Sequence, residues 1–236
     1  MCSWRPSGRI CLNQGSQMIR RLAMISILFA IICSIVLIHR CLDLSSSPRI
    51  QKEDGALAEG LTVQIDSIEN FSETNKEKVE QAAAAMESAL NSEEFHSRVS
   101  GFTWQGKQSF ADNRGMSNDQ IYAAIMSGRE TYSTDDDHTV NLNLILYRPP
   151  FYKKWSVVGY GYPGTPQIYV NRYYLAAMSI ADLAGLLAHE WCHKLGFNHD
   201  FRRTLKRPYS VPYGVGSIVS DIAKALDGTT RSVVLN

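Results

Sequence analysis

The chain predicts an α+β domain built on a mixed β-sheet, closed by a C-terminal helix and preceded by an N-terminal hydrophobic helix. Three observations carry this. An uncharged apolar run from Leu22 to Ile38 stands apart from everything after it. From residue 61 onward, short alternating segments of strand character are interleaved with segments of helical spacing. Then a largely apolar helical stretch, Ile180 to Leu195, carries two histidines four residues apart, and a further helical pattern follows it.

The 236 residues suit one medium domain plus an extension, and the 44% hydrophobic content is that of an ordinary globular protein. A net charge of +1 offers no field for nucleic acid, which is not expected as a partner. Oligomeric state has no signature in the sequence.

Residues 1–17 form an extension with no assigned role; a start at Met18 would give a conventional arginine-led signal. Residues 18–41 read as a signal anchor or signal peptide. Arg20 and Arg21 precede the apolar run 22–38, which is short for a membrane span and long for a signal core. No Ala-x-Ala site follows it; His39, Arg40 and Cys41 do, which favours an uncleaved anchor with a cytoplasmic N-terminus. The domain is therefore expected on the extracytoplasmic side, anchored in the membrane through residues 22–38, or secreted. Residues 42–60, with Ser45-Ser46-Ser47-Pro48, read as a linker. Four of the five cysteines precede residue 42, so the domain itself, with Cys192 alone, has no disulfide framework.

The domain is expected to occupy residues 61–236. Leu61 to Asp66 alternates and predicts a first strand. Residues 74–90, with Ala82 to Met86 and Leu90, predict a helix, and a shorter one follows near 92–99. Phe102 to Phe110 reads as a strand and Asn118 to Met126 as a short helix. Val140 to Tyr147 alternates and then turns apolar, which suits a central strand ended by Pro149-Pro150. Val157–Tyr162 and Ile168–Asn171 predict a hairpin across Pro163-Gly164-Thr165-Pro166. Ser179, followed by Asp182, predicts the N-cap of the histidine-bearing helix. Ser217 to Leu226 closes the chain as a helix with Ile218, Ile222, Ala225 and Leu226 on one side.

The chemistry concentrates in His189-Glu190-Trp191-Cys192-His193-Lys194-Leu195-Gly196-Phe197-Asn198-His199-Asp200. Positions four apart share a helix face, so His189 and His193 can point two imidazoles at one ion. Glu190 stands one step round the helix, placed to act as a base toward water rather than as a ligand. Gly196 can leave the helix with positive φ and swing His199 back as a third ligand. Three protein ligands leave a fourth zinc position open, the mark of a catalytic rather than a structural site. No glutamate follows Glu190, which excludes a third ligand of the later-helix glutamate type. Asp200 could replace His199 as a ligand, but a role orienting a ligand or capping a local turn is expected instead. Cys192, between the histidines, reads as a small buried side chain. Arg202, Arg203, Lys206 and Arg207 form a basic run that reads as a solvated loop, with a preference for acidic substrate groups as the alternative.

The twelve-residue pattern HExxHxxGxxHD resembles the metzincin zinc endopeptidases, and the aspartate after the third histidine is similar to the adamalysin or reprolysin branch. The resemblance implies a zincin-like fold, Zn2+ on His189, His193 and His199, Glu190 as general base, and a peptide or protein substrate. It covers these residues and, weakly, Tyr209-Ser210-Val211-Pro212-Tyr213-Gly214. That segment looks like the astacin-type turn, with Val211 where methionine would stand and Tyr213 in the place of the tyrosine that binds zinc or steadies the oxyanion. The last methionine is Met178, upstream of the motif, so the turn lacks its methionine. The resemblance also implies that the backbone around Gly159-Tyr160-Gly161 lines the cleft and pairs with extended substrate.

The expected activity is thus peptide-bond hydrolysis by a zinc-activated water with Glu190 as base. Two alternatives fit the same residues: a catalytically silent zincin-fold binding module at the cell envelope, and a zinc hydrolase of a non-peptide amide.

Overall fold

The computed structural model describes residues 60–133, 136–154 and 157–234. The expected extension, hydrophobic helix and linker up to residue 59 lie outside the described residues. Among the described residues, no helix is long and apolar enough to cross a membrane.

The described chain is α+β, with six α-helices and one mixed sheet of four strands. In chain order the strands are β1 (Thr62–Glu69), β2 (Thr139–Tyr147), β3 (Gly159–Gly161) and β4 (Gln167–Asn171). The helices are α1 (Glu73–Leu90), α2 (Glu93–Ser100), α3 (Asn118–Met126), α4 (Arg172–Ala177), α5 (Ile180–Lys194) and α6 (Val211–Val234). The sheet order is β1-β2-β4-β3: β1, β2 and β4 run parallel, and β3 pairs antiparallel at the edge through the 162–166 hairpin.

The helix starts follow from local chemistry. Ser72, Ser92, Ser117 and Ser179 each sit at an N-cap in extended conformation, and each hydroxyl accepts a backbone N–H three residues on. At Ser117 the box is reciprocal, because Gln120 Oε1 accepts the Ser117 N–H at 2.8 Å.

Alternation along β2 and β4 turns Val140, Leu142, Leu144, Ile168 and Val170 into the core, all fully buried. α1 packs on β1 and on α5, and α5 packs on β3 and α6. The α5–α6 crossing is made by two glycines. A methyl group at Gly185 would stand 2.5 Å from Gly216 O, and one at Gly216 2.7 Å from Gly185 O. Only residues without a side chain allow the two backbones this close.

Two expectations are corrected. Residues 102–110 are not a strand. Gln105 and Gly106 adopt positive φ, leaving a single Trp104–Lys107 bridge. Phe102 and Phe110 instead stack at 3.9 Å beneath Gly214 of α6. The segment 209–214 is not a free turn either. α6 begins at Val211, six residues before the expected start, so Pro212, Tyr213 and Gly214 belong to its first turn. Proline is tolerated there because the first N–H groups of a helix have no intrahelical acceptor. The short helix α4, capped by Asn171, has no counterpart in the sequence reading.

Candidate metal centre

α5 delivers His189 and His193 from one face, one helical turn apart, with ring centroids 5.2 Å from each other. The helix then ends in a Schellman motif. Gly196 takes φ +86°, its N–H donates to His193 O at 3.0 Å, and the Phe197 N–H donates to Cys192 O at 3.1 Å. This exit turns the chain back over the helix and sets the His199 ring 5.2 Å from His189 and 5.0 Å from His193. One ligand atom from each imidazole falls within 4.8 Å of the others, a grouping that could hold a metal ion.

Each ring is oriented by a main-chain carbonyl. His193 Nδ1 donates to Phe197 O at 2.8 Å and His199 Nδ1 to Asp200 O at 3.0 Å. His189 bonds the backbone of Pro212, at the start of α6. With Nδ1 of His193 and His199 so engaged, their Nε2 atoms are left to ligate. Burial also keeps the rings neutral, as ligation requires. It holds the proton affinity of His189 well below that of free histidine, takes His193 down to about 4 and lowers His199 too. The chemistry of the donor set thus fits a divalent ion of the zinc, copper, iron or nickel type.

Glu190 is only 4% exposed and lies under the edge strand. The Gly161 N–H bonds its carboxylate, and a methyl group at Gly159 would stand 3.3 Å from Oε1. The two glycines of Gly159-Tyr160-Gly161 therefore let β3 approach the helix. Burial raises the Glu190 carboxyl to about 8, against the smaller opposing effects of the Gly161 bond and the Lys194 charge.

Tyr213 reaches the centre from the first turn of α6. Its ring lies 4.5 Å from His189 and 4.8 Å from His199. The Asp200 carboxylate turns away from the centre: it accepts from Thr204 Oγ1 at 2.6 Å and pairs with Lys206 at 3.4 Å, while only its carbonyl serves His199. It caps the local turn and stands outside the three-histidine grouping. Cys192 is fully buried, and desolvation pushes its thiol far above the usual range, as expected of a packing residue.

Lys194 and Glu130 have no place in the expectations from sequence, and Arg207 enters them only as part of the basic run 202–207. Lys194 is fully buried; its Nζ donates to Thr165 O at 2.5 Å and to Gln167 O, with Tyr162 O at 3.5 Å. Desolvation lowers its ammonium to about 8. It ties the end of the histidine helix to the β3–β4 connection. Glu130, 2% exposed, accepts from Trp191 Nε1 at 3.0 Å and from the Asn141 N–H at 3.1 Å, joining α5 to β2. Arg207 places its guanidinium carbon 5.0 Å from the centroid of the Tyr213 ring. The sequence signal for Lys194 is a lysine ending a largely apolar helix, that for Arg207 is the basic run, and Glu130 has none.

Comparison with known proteins adds no relative: no family model, no curated protein and no solved structure matches the chain at a significant level.

Proposed function

We propose that this protein is a metzincin-like zinc endopeptidase with a zincin-like domain. The observation that carries the reading is the convergence of three neutral, carbonyl-oriented imidazoles beside a buried glutamate that faces an open strand edge. His189, His193 and His199 would hold the ion. Bound zinc supplies a Lewis acid that polarises the scissile carbonyl and lowers the pKa of water.

The chain's own groups do the rest. β3 has a pairing partner on one side only, β4, so its outer edge can take an extended peptide as an added strand. Glu190 takes the proton of the attacking water and hands it to the leaving amine. Tyr213, packed against two of the imidazoles, steadies the developing oxyanion. The domain works on the extracytoplasmic side, held by residues 22–38 or released.

Glu190→Gln is the test. The zinc-loaded variant should retain stoichiometric metal and lose turnover on a mixed peptide library by at least about a hundredfold. Full cleavage by Glu190→Gln removes the general-base role. Metal-dependent peptide binding without cleavage by the native protein would point instead to a silent binding module.

A further inference from the structure

Arg207 stands beside the metal centre and has no part in the mechanism above. It opens the short 3-10 turn Arg207–Tyr209 that leads into α6. Its guanidinium covers the Tyr213 ring, whose other contacts are the rings of His189 and His199. The three layers are thus guanidinium, phenol and imidazoles.

The partners of Arg207 are incomplete. Nη1 donates to Phe201 O at 3.1 Å. Nε is shielded from water and has no hydrogen-bond partner among the described residues. Two nearby carboxylates, Asp112 and Asp200, are both taken by Lys206, at 2.9 and 3.4 Å. Among the described residues Arg207 has no ion pair. A half-buried charge without a counter-ion is costly, and so is a shielded donor left unbonded. Nη2 is the open donor; with Nε beside it, a small turn of the guanidinium out of its shielded position completes the fork that grips a carboxylate with two parallel bonds. A dication held by the three imidazoles would place a second positive charge behind Tyr213, and an anion near both relieves both. Arg202 and Arg203, exposed on the preceding loop, add to the same field.

We infer that Arg207 forms an anion subsite next to the metal centre that takes a carboxylate of the substrate, either a free C-terminus or an aspartate or glutamate side chain near the scissile bond. This rests on the peptidase reading and names its substrate class.

Binding to zinc-loaded Glu190→Gln tests it without turnover. Three acetylated hexapeptides share one core: a neutral amide, the same peptide as the free acid, and an amide with glutamate replacing a central glutamine. Calorimetric titration should show at least one acidic peptide binding about tenfold more tightly than the neutral one. The arm that gains identifies a C-terminal or a side-chain carboxylate. Adding Arg207→Gln should abolish the preference at unchanged zinc content and Tm. Arg207→Lys keeps the charge without the fork and should retain only part of it; this variant carries the test if Arg207→Gln fails to fold. Equal binding of the three peptides, no binding at millimolar peptide, or a preference that survives both substitutions overturns the subsite. Cleavage of the same peptides by the native zinc-loaded protein separates the two readings. A carboxylate preference without cleavage defeats the peptidase and leaves the subsite; cleavage without preference does the reverse.

Discussion

Replacing Gly216 with alanine measures how far the α5–α6 crossing governs the metal centre. The added methyl would stand 2.7 Å from Gly185 O and 3.0 Å from His189 Cβ. One neighbour is backbone and the other is the root of a ligand, so neither can swing aside. In an open helical site the same change stabilises by about 1 kcal/mol, because glycine is the poorer helix former. Against this, overpacking in a close contact costs ~1–3 kcal/mol. The net expectation is a loss of up to about 2 kcal/mol, or roughly 2–4 °C in Tm per kcal/mol for a domain of this size. Gly228, also in α6, has nothing within 4 Å of an added Cβ. Gly228→Ala therefore supplies the propensity gain without the clash and should raise Tm. Relief of the clash at 216 separates the helices and carries Pro212 and Tyr213, at the start of α6, away from His189, loosening the support of that ring. Metal affinity should then fall about tenfold, equivalent to ~1.4 kcal/mol. Thermal melts of the metal-free native protein, Gly216→Ala and Gly228→Ala give the first comparison, and chelator competition gives the second. If Gly216→Ala melts at or above the native protein and binds metal equally well, the reasoning is wrong.

Other consequences are open to measurement. His199→Ala leaves two imidazoles and should weaken metal binding by more than about a hundredfold, read by metal analysis after dialysis against a weak chelator. Lys194→Met strands the carbonyls of Thr165 and Gln167 in a buried site and should cost ~2–4 kcal/mol in urea unfolding, more than an exposed lysine would. Below the unfolded histidine value the unfolded chain binds protons that the buried imidazoles refuse. The metal-free protein should therefore lose stability as pH falls from about 6.5 to about 4, by on the order of 3 kcal/mol for His193 alone. A His193→Gln variant should show a correspondingly flatter pH profile across that window. Asp182 is held below the usual carboxylate range, by Lys224 first and by Ser179 next. Its contribution is present above the unfolded carboxyl value and is lost as pH falls through the folded one. The pair is half-exposed, so Asp182→Asn should cost under about 1 kcal/mol at pH 7 and less near pH 3.

Much of the local structure was legible because its causes are local. The serines at 72, 92, 117 and 179 each satisfy a donor three residues away. The hairpin lies between two alternating runs and is closed by a proline-glycine turn. Residues 102–110 misled because a run of aromatics separated by polar residues has strand periodicity. Its aromatic rings are used as a stack against α6 instead. The segment 209–214 misled in the opposite sense: Pro212 and Gly214 read as breakers, yet one occupies a helix start and the other makes room for Phe102 and Phe110.

By itself, the sequence determined the histidine spacing on one helix face, the neighbouring glutamate, and the glycine exit that returns His199. All of these act within a dozen residues through backbone geometry. Tyr213 was named by resemblance, but only the tertiary structure decided that its ring packs on His189 and His199 with Arg207 over it, that Lys194 grips the hairpin loop, and that Gly185 meets Gly216. Those contacts join residues far apart in the chain. They depend on how whole helices and strands pack, which no local periodicity specifies.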